Sequence, residues 1–326
     1  MSAAEHQTSE EEFTSYYGLP VVKESPWEVD IPIYIFAGGL ASVSSLLAAG
    51  GQLTARPALQ RAGRLAAAGG LSVSLVALIH DLGRPARFLN MLRTVRLTSP
   101  MSVGTWLLSL YGAPAGLAAL DEIVRMTPLD QKSRPARLLR SAGRPAGLVA
   151  ALAAPPVATY TAVLLSDTST PSWHSAYREL PFVFSASAAT AAGGLAMLAV
   201  PVNQAAPARR MAVAGSAVEL VAEQVMERSM GIAAEPLHQG KAGRYMRAAK
   251  ILTATGAAGA LLGGRRRWVA ALSGAALLAG SFCTRMGVFE AGQASARDPK
   301  YTVVPQRERL NRGEPVRFTP RDEGHR

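Results

Sequence analysis

Long runs of Ala, Leu, Val and Gly alternate along this chain with short stretches that gather the charges and prolines. The runs approach the ~20 residues that a membrane span needs. Several are apolar all round, not striped, which sets them apart from the helices of a soluble bundle. Eight are read as transmembrane helices: 31–53, 65–81, 102–124, 143–165, 179–200, 210–226, 246–263 and 267–285. Pro57, Pro85, Pro100, Pro128, Pro145, Pro171, Pro207 and Pro236 fall in or beside the gaps, where breakers belong. Pro155 and Pro156 lie inside the fourth run and predict a kink. The sixth run is short and carries Glu219 and Glu223. The expected architecture is all-α: a polytopic bundle of two four-helix halves over 31–285, an extramembrane segment over 1–30, and a polar tail over 286–326.

Composition agrees with that pattern. Hydrophobic residues make up 49% of the 326 and charged ones only 17%, against about 25% charged in soluble proteins. Small residues within the runs suit close helix packing in lipid. A large soluble all-α protein is thereby set aside. The net charge of +11 reports loop and tail arginines near lipid head groups and partner surfaces. No basic face with interleaved aromatics points to nucleic acid. The loops opposite the termini hold slightly more Lys and Arg than those on the same side, which leans to both termini outside, but the tail arginines reverse the balance.

The first 30 residues carry Glu5, Glu10, Glu11 and Glu12 and lack the basic-then-apolar order of a signal peptide. Tyr16-Tyr17-Gly18-Leu19-Pro20 and Pro26-Trp27 suit chain lying at an interface or on a partner. The tail is expected to be disordered alone or laid on a partner.

What the chain lacks narrows its chemistry. Of its five histidines only His80 ends a span, whereas a membrane b-type haem needs two facing histidines. The single Cys283 forms no internal disulfide and cannot hold an iron–sulfur cluster, which usually takes four thiolates. Neither a phosphate-binding Gly-rich loop nor zinc-ligand spacing is present. No haem or iron–sulfur cluster is expected in this chain, so redox metals would belong to other chains.

Three places bring polar chemistry to membrane level. His80-Asp81, followed by Gly83, Arg84, Arg87 and Arg93, is a pair able to exchange protons with a quinol hydroxyl. It reads equally as a helix end capped by Gly83, with arginines snorkelling to head groups. At the first span Asp30 is placed at the N-cap and Tyr34 one turn on. That phenol either hydrogen-bonds a quinone carbonyl or anchors the helix at the interface. Glu219, Glu223 and Glu227 share one helix face. They form a proton ladder, or pair with an arginine of a neighbouring span, or sit in water on an interfacial amphipathic helix. An even number of spans puts Asp30, Tyr34, His80 and Asp81 at one membrane face.

These residues resemble a known family. Tyr17-Gly18-Leu19-Pro20, Trp27, Ile31-Pro32 and Gly38-Gly39-Leu40-Ala41 are similar to the opening of the NrfD/PsrC integral membrane subunits. His80-Asp81-Leu82-Gly83-Arg84-Pro85 with Arg87-Phe88, then Thr98-Ser99-Pro100-Met101-Ser102 with Gly104 and Trp106, resemble that family's most recognisable block. Leu164-Leu165, Pro171-Ser172-Trp173, Leu180-Pro181 and Phe184-Ser185 match its middle.

The resemblance implies an eight-helix, quinone-reactive anchor in the cell (inner or cytoplasmic) membrane. Its partners are a four-cluster, ferredoxin-like iron–sulfur subunit and a molybdopterin catalytic subunit, and its cofactor is menaquinone or ubiquinone. By position, Tyr34 falls on a quinone-binding side chain, Asp81 near a proton-transfer acid, and Glu219 on a membrane acid used for proton conduction in some relatives. Ile31 stands where some relatives carry a quinone-contacting amide. The expected cofactor contacts are Asp30, Tyr34, His80 and Trp106; His80, Asp81 and Glu219 are the expected proton-handling residues. A transporter, an ion channel and a purely structural anchor are the alternatives.

Overall fold

The computed structural model describes residues 21–84, 86–93, 95–128 and 133–313. The 16–20 segment, Pro85 and the tail beyond 313 lie outside the described residues. Chain order is α1 (Asp30–Leu53), α2 (Pro57–Asp81), α3 (Ala86–Met91), α4 (Pro100–Met126), α5 (Arg134–Ser166), α6 (Pro171–Ser175), α7 (Leu180–Ala199), α8 (Ala206–Ser229), a 3-10 helix (Gly231–His238), α9 (Gly240–Gly263), α10 (Arg267–Arg297) and α11 (Lys300–Asn311).

Prolines start helices more often than they break them. Pro occupies N1 or N2 of α2, α4, α5, α6, α7 and α8, where its missing N–H has no intrahelical acceptor to lose. Ser99 caps α4 by accepting from the Ser102 N–H at 3.5 Å. Pro145 is no boundary: α5 begins at Arg134 and runs 33 residues through Pro145, Pro155 and Pro156. The Thr159 hydroxyl lies 3.2 Å from the carbonyls of both Pro155 and Pro156.

Among the described residues six helices are long and apolar enough to cross a membrane: α1, α2, α4, α5, α7 and α10. Helices α8 and α9 match them in length, at 24 residues each. They fall short in hydropathy for opposite reasons. Buried Glu219 and Glu223 interrupt α8, while the first half of α9 carries Lys241, Arg244, Arg247 and Lys250.

Helices pack as sequential antiparallel pairs, α1 with α2, α4 with α5, α7 with α8 and α9 with α10; α1 and α7 meet between the two halves. These two are the most enclosed spans, with 78% and 67% of their apolar windows buried. Small residues permit the crossings: a Cβ on Gly194 of α7 would lie 2.7 Å from the Gly274 carbonyl of α10. One face of the bundle therefore gathers the start of α1, the ends of α2, α5, α8 and α10, and the short elements α3, α6, the 3-10 helix and α11.

Other boundaries also differ from the sequence reading. Arg285 does not end a span; it is buried within α10, which continues to Arg297. The indole N–H of Trp173 donates to the Val288 carbonyl at 2.9 Å, and Trp173 stacks between Trp27 and Phe289 at 5.8 and 5.6 Å. Residues 286–297 are thus core. Polarity misled because Gln293 and Ser295 spend their polar groups on the chain itself, Gln293 donating to the Trp27 carbonyl at 2.8 Å and Ser295 accepting from the Ser172 N–H at 3.1 Å.

Arg64 is likewise no loop charge. It is buried on α2, donating to Asp121 of α4 at 3.0 Å and Glu122 at 3.4 Å, to Gln52 of α1 at 2.9 Å, and to the Gly143 carbonyl of α5 at 3.2 Å. One guanidinium ties four helices at the face opposite the termini. It therefore drops out of any count of charges facing lipid head groups.

Candidate functional site

The second helix ends as its sequence dictates. Gly83 takes a left-handed φ of +67° and its N–H donates to the His80 carbonyl at 3.0 Å. The Arg87 guanidinium donates to the Leu82 carbonyl at 3.1 Å, so it holds this turn in place. The helix end delivers His80 and Asp81 beside the start of α1.

There His80 Nδ1 lies 2.6 Å from Asp30 Oδ2. The N-cap of α1 is Val29, and Asp30 is its first helical residue. The Asp30 carboxylate is drawn to the neighbouring helix, not to its own N–H groups. The two side chains are 79% and 28% exposed, which puts the pair at the surface. Asp81 points the other way, into the bundle, where it lines a cavity.

Asp81 lines a narrow slot of about 40 Å³ with Tyr34, Tyr160 and Thr105 as its other polar groups and Ile31, Leu78, Leu108 and Leu164 among its apolar walls. The hydroxyls of Tyr34 and Tyr160 are hydrogen-bonded to each other, and both rings are buried. Met91 and Met101 form part of the slot wall and also line a second, open pocket of about 290 Å³ with Asn90, Ser99 and Ser102. The two spaces meet at two flexible thioether side chains, which adapt readily to what they cover.

The structure thus brings Asp30, Tyr34, His80 and Asp81 to one end of the bundle. Only Tyr34 and Asp81 line the slot; His80 and Asp30 stand at its rim. Trp106 does not line it. That side chain is 41% exposed on the far side of α4, and its neighbour Thr105 takes the inward position. Tyr160 went unnoticed in the sequence. Its signal was a tyrosine four residues past a double proline in an apolar run, with Gly104 across the bundle leaving room for its ring.

Glu219 lies elsewhere, in the second half of the bundle. It and Glu223 are each 1% exposed, so neither sits in water on an interfacial helix. The Thr284 hydroxyl of α10 donates to Glu219 at 2.9 Å and reaches Glu223 at 3.4 Å. Beside it Arg285 donates to the Phe184 carbonyl at 2.6 Å and stacks over that ring at 4.0 Å. Glu227 ends the ladder at the terminus face, paired with Lys250 at 2.6 Å and 3.7 Å from His238.

Fold and site together define a multi-pass helical membrane protein with a polar slot opening on one membrane face. The chain belongs to the NrfD family: the family described as "Polysulphide reductase, NrfD" matches residues 21–223. Membership makes it the membrane subunit of a polysulfide reductase-like complex. The match ends within α8 and includes every residue of the slot. No curated protein matches the chain.

Proposed function

We propose that this chain is the eight-span, quinone-reactive anchor of a respiratory oxidoreductase in the cell membrane. It exchanges two electrons and two protons between quinone or quinol and a partner iron–sulfur subunit, which in turn serves a molybdopterin catalytic subunit. The single observation carrying this reading is the slot: Tyr34, Tyr160, Thr105 and Asp81 among apolar walls, with Asp30 and His80 between it and water. That donor set suits a ring with two oxygens that change protonation.

A slot of about 40 Å³ has room for a water molecule or so, whose share of liquid is about 30 Å³. A quinone ring fits only with Met91 and Met101 displaced toward the adjoining pocket. When bound, menaquinone or ubiquinone supplies the two-electron, two-proton chemistry. With quinone bound, the Tyr34 and Tyr160 hydroxyls would hold one carbonyl oxygen, and the Asp81 carboxylate would give or take a proton at the other. The Asp30–His80 pair relays that proton to the terminus face, and the same face receives the iron–sulfur subunit. Arg84, Arg87 and Arg93 meet that subunit or lipid phosphate. Burial of Glu219 and Glu223 favours a second role, passage of protons through the other half of the bundle.

The test is quinol-dependent turnover of the intact complex carrying Asp81→Asn or Tyr34→Phe. Loss of proton transfer at Asp81 predicts a fall of about 10²-fold or more, with electron transfer from an artificial donor to the partner subunits unchanged. A complex that keeps full quinol turnover with both variants has its quinone site elsewhere. If it also retains no quinone on purification, the chain is a structural anchor.

A further inference from the structure

Helices α7 and α8 leave an apolar groove of about 600 Å³ on the outer surface, walled by Phe182, Val218, Val221 and Val225. The three valines are 52, 63 and 48% exposed and Phe182 is 64% exposed. Their spacing of three and four residues makes one stripe along α8. The buried acids Glu219 and Glu223 occupy the inner side of the same helix. This stripe is therefore the lipid-level face of α8, although the helix as a whole is not apolar.

The groove ends in positive charge. Arg178 stands at its terminus-side mouth beside Glu179, and Arg228 continues the valine stripe one turn past Val225. The Arg178 Nε donates to the Tyr177 hydroxyl at 2.7 Å, with the guanidinium 5.3 Å from that ring's centre. Arg178 is itself exposed. Among the described residues neither Arg178 nor Arg228 forms an ion pair. An apolar trough at span depth, capped by two guanidiniums where the span meets water, matches a molecule with a hydrocarbon chain and a phosphate. Ala217 and Ala222 also line the groove, but a partner's transmembrane helix matches it less well, because an apolar helix brings no anionic group to the two guanidiniums.

We propose that this groove binds an anionic phospholipid, with an acyl chain along Phe182, Val218 and Val221 and the phosphodiester held by Arg178 and Arg228. The lipid covers the wall behind which Glu219 and Glu223 are buried.

Thermal unfolding of the full chain in detergent, titrated with phosphatidylglycerol or phosphatidylcholine, tests this. Phosphatidylglycerol should raise the Tm of the wild type at lower concentration than phosphatidylcholine. The double variant Arg178→Ala with Arg228→Ala should lose that preference while keeping its helix content. The corresponding double Lys variant should retain it, which separates lost charge from lost folding. Equal stabilisation of the wild type by both lipids overturns the proposal, as does a preference that survives the double Ala variant. A cross-link in the native membrane from Val221→Cys, placed in a Cys283→Ser background, to another protein chain would show a helix in the groove and overturn it as well.

Discussion

Gly104 holds the place where the ring of Tyr160 lies: a Cβ there would stand 2.5 Å from the ring. No real Cβ tolerates that approach, and Tyr160, wedged in the bundle, must turn away. Gly104→Ala should therefore cost about 1–3 kcal/mol through overpacking and break the Tyr34–Tyr160 hydrogen bond. A melting curve reads the first effect and quinol turnover of the intact complex the second. Turnover unchanged beside a lowered Tm would detach Tyr160 from function. At this scale the sequence was half legible. Tyr34, Asp30, His80 and Asp81 stood out as polar groups at span ends, where such groups are conspicuous. Tyr160 did not, since a lone tyrosine in an apolar run resembles any interfacial aromatic. Trp106 was misleading for the converse reason, because adjacent helical residues face different ways and Thr105 holds the inward one.

Among the elements, α1, α2, α4 and α5 meet at Arg64. Removing its guanidinium leaves Asp121 and Glu122, 2% and 5% exposed, with one partly exposed arginine each, Arg125 at 2.9 Å and Arg61 at 3.2 Å, and loses a buried partner whose full removal costs up to about 3–5 kcal/mol. Arg61 pairs with Glu122 at 3.2 Å from a side chain that is 52% exposed, and exposed pairs contribute about 0–1 kcal/mol. Thermal melts in detergent should show Arg64→Leu strongly destabilised and Arg61→Ala nearly native. Similar losses in both would mean that Arg64 is solvated. Helix positions were readable from hydropathy, and each of the eight predicted runs falls on its own helix, although α5 starts nine residues before its run and α10 continues twelve residues past its run. The second began later than its helix, since Arg61 and Arg64 made the first turns of α2 look like a loop. Charge alone cannot tell a solvated arginine from one whose partners arrive from three other helices.

The whole molecule is tied together at the terminus face, where the C-terminal elements fold back. Lys300 of α11 reaches Glu235 of the 3-10 helix at 2.6 Å. Lys300 lowers the Glu235 carboxyl below the ordinary carboxylate range, and Glu235 raises the Lys300 ammonium. A depressed carboxyl contributes above its unfolded value and loses that contribution as pH falls through its folded value. A raised ammonium contributes below its unfolded value and loses it as pH rises through its folded value. Docking of α11 should thus hold across neutral pH and loosen at both the acid and the alkaline end. Hydrogen exchange over residues 300–311 would show this as faster exchange at either end once intrinsic rates are corrected for. Lys300→Glu should loosen the helix at neutral pH as well. A pH-independent profile in the wild type would assign the docking to Tyr301 and its apolar contacts.

Hydropathy by itself determined the class of this protein and the order of its helices, because lipid requires every span to be helical and apolar and to cross fully. It also marked one end of the bundle as chemically unusual. Which polar groups meet was left to tertiary structure. Asp30 finds His80 across 50 residues, Tyr34 finds Tyr160 across 126 and Thr284 finds Glu219 across 65. Those pairings depend on the rotation and depth of packed helices. The small-residue contacts that set rotation and depth are spread through the apolar runs, where one Gly or Ala looks like another until the neighbouring helix is in place.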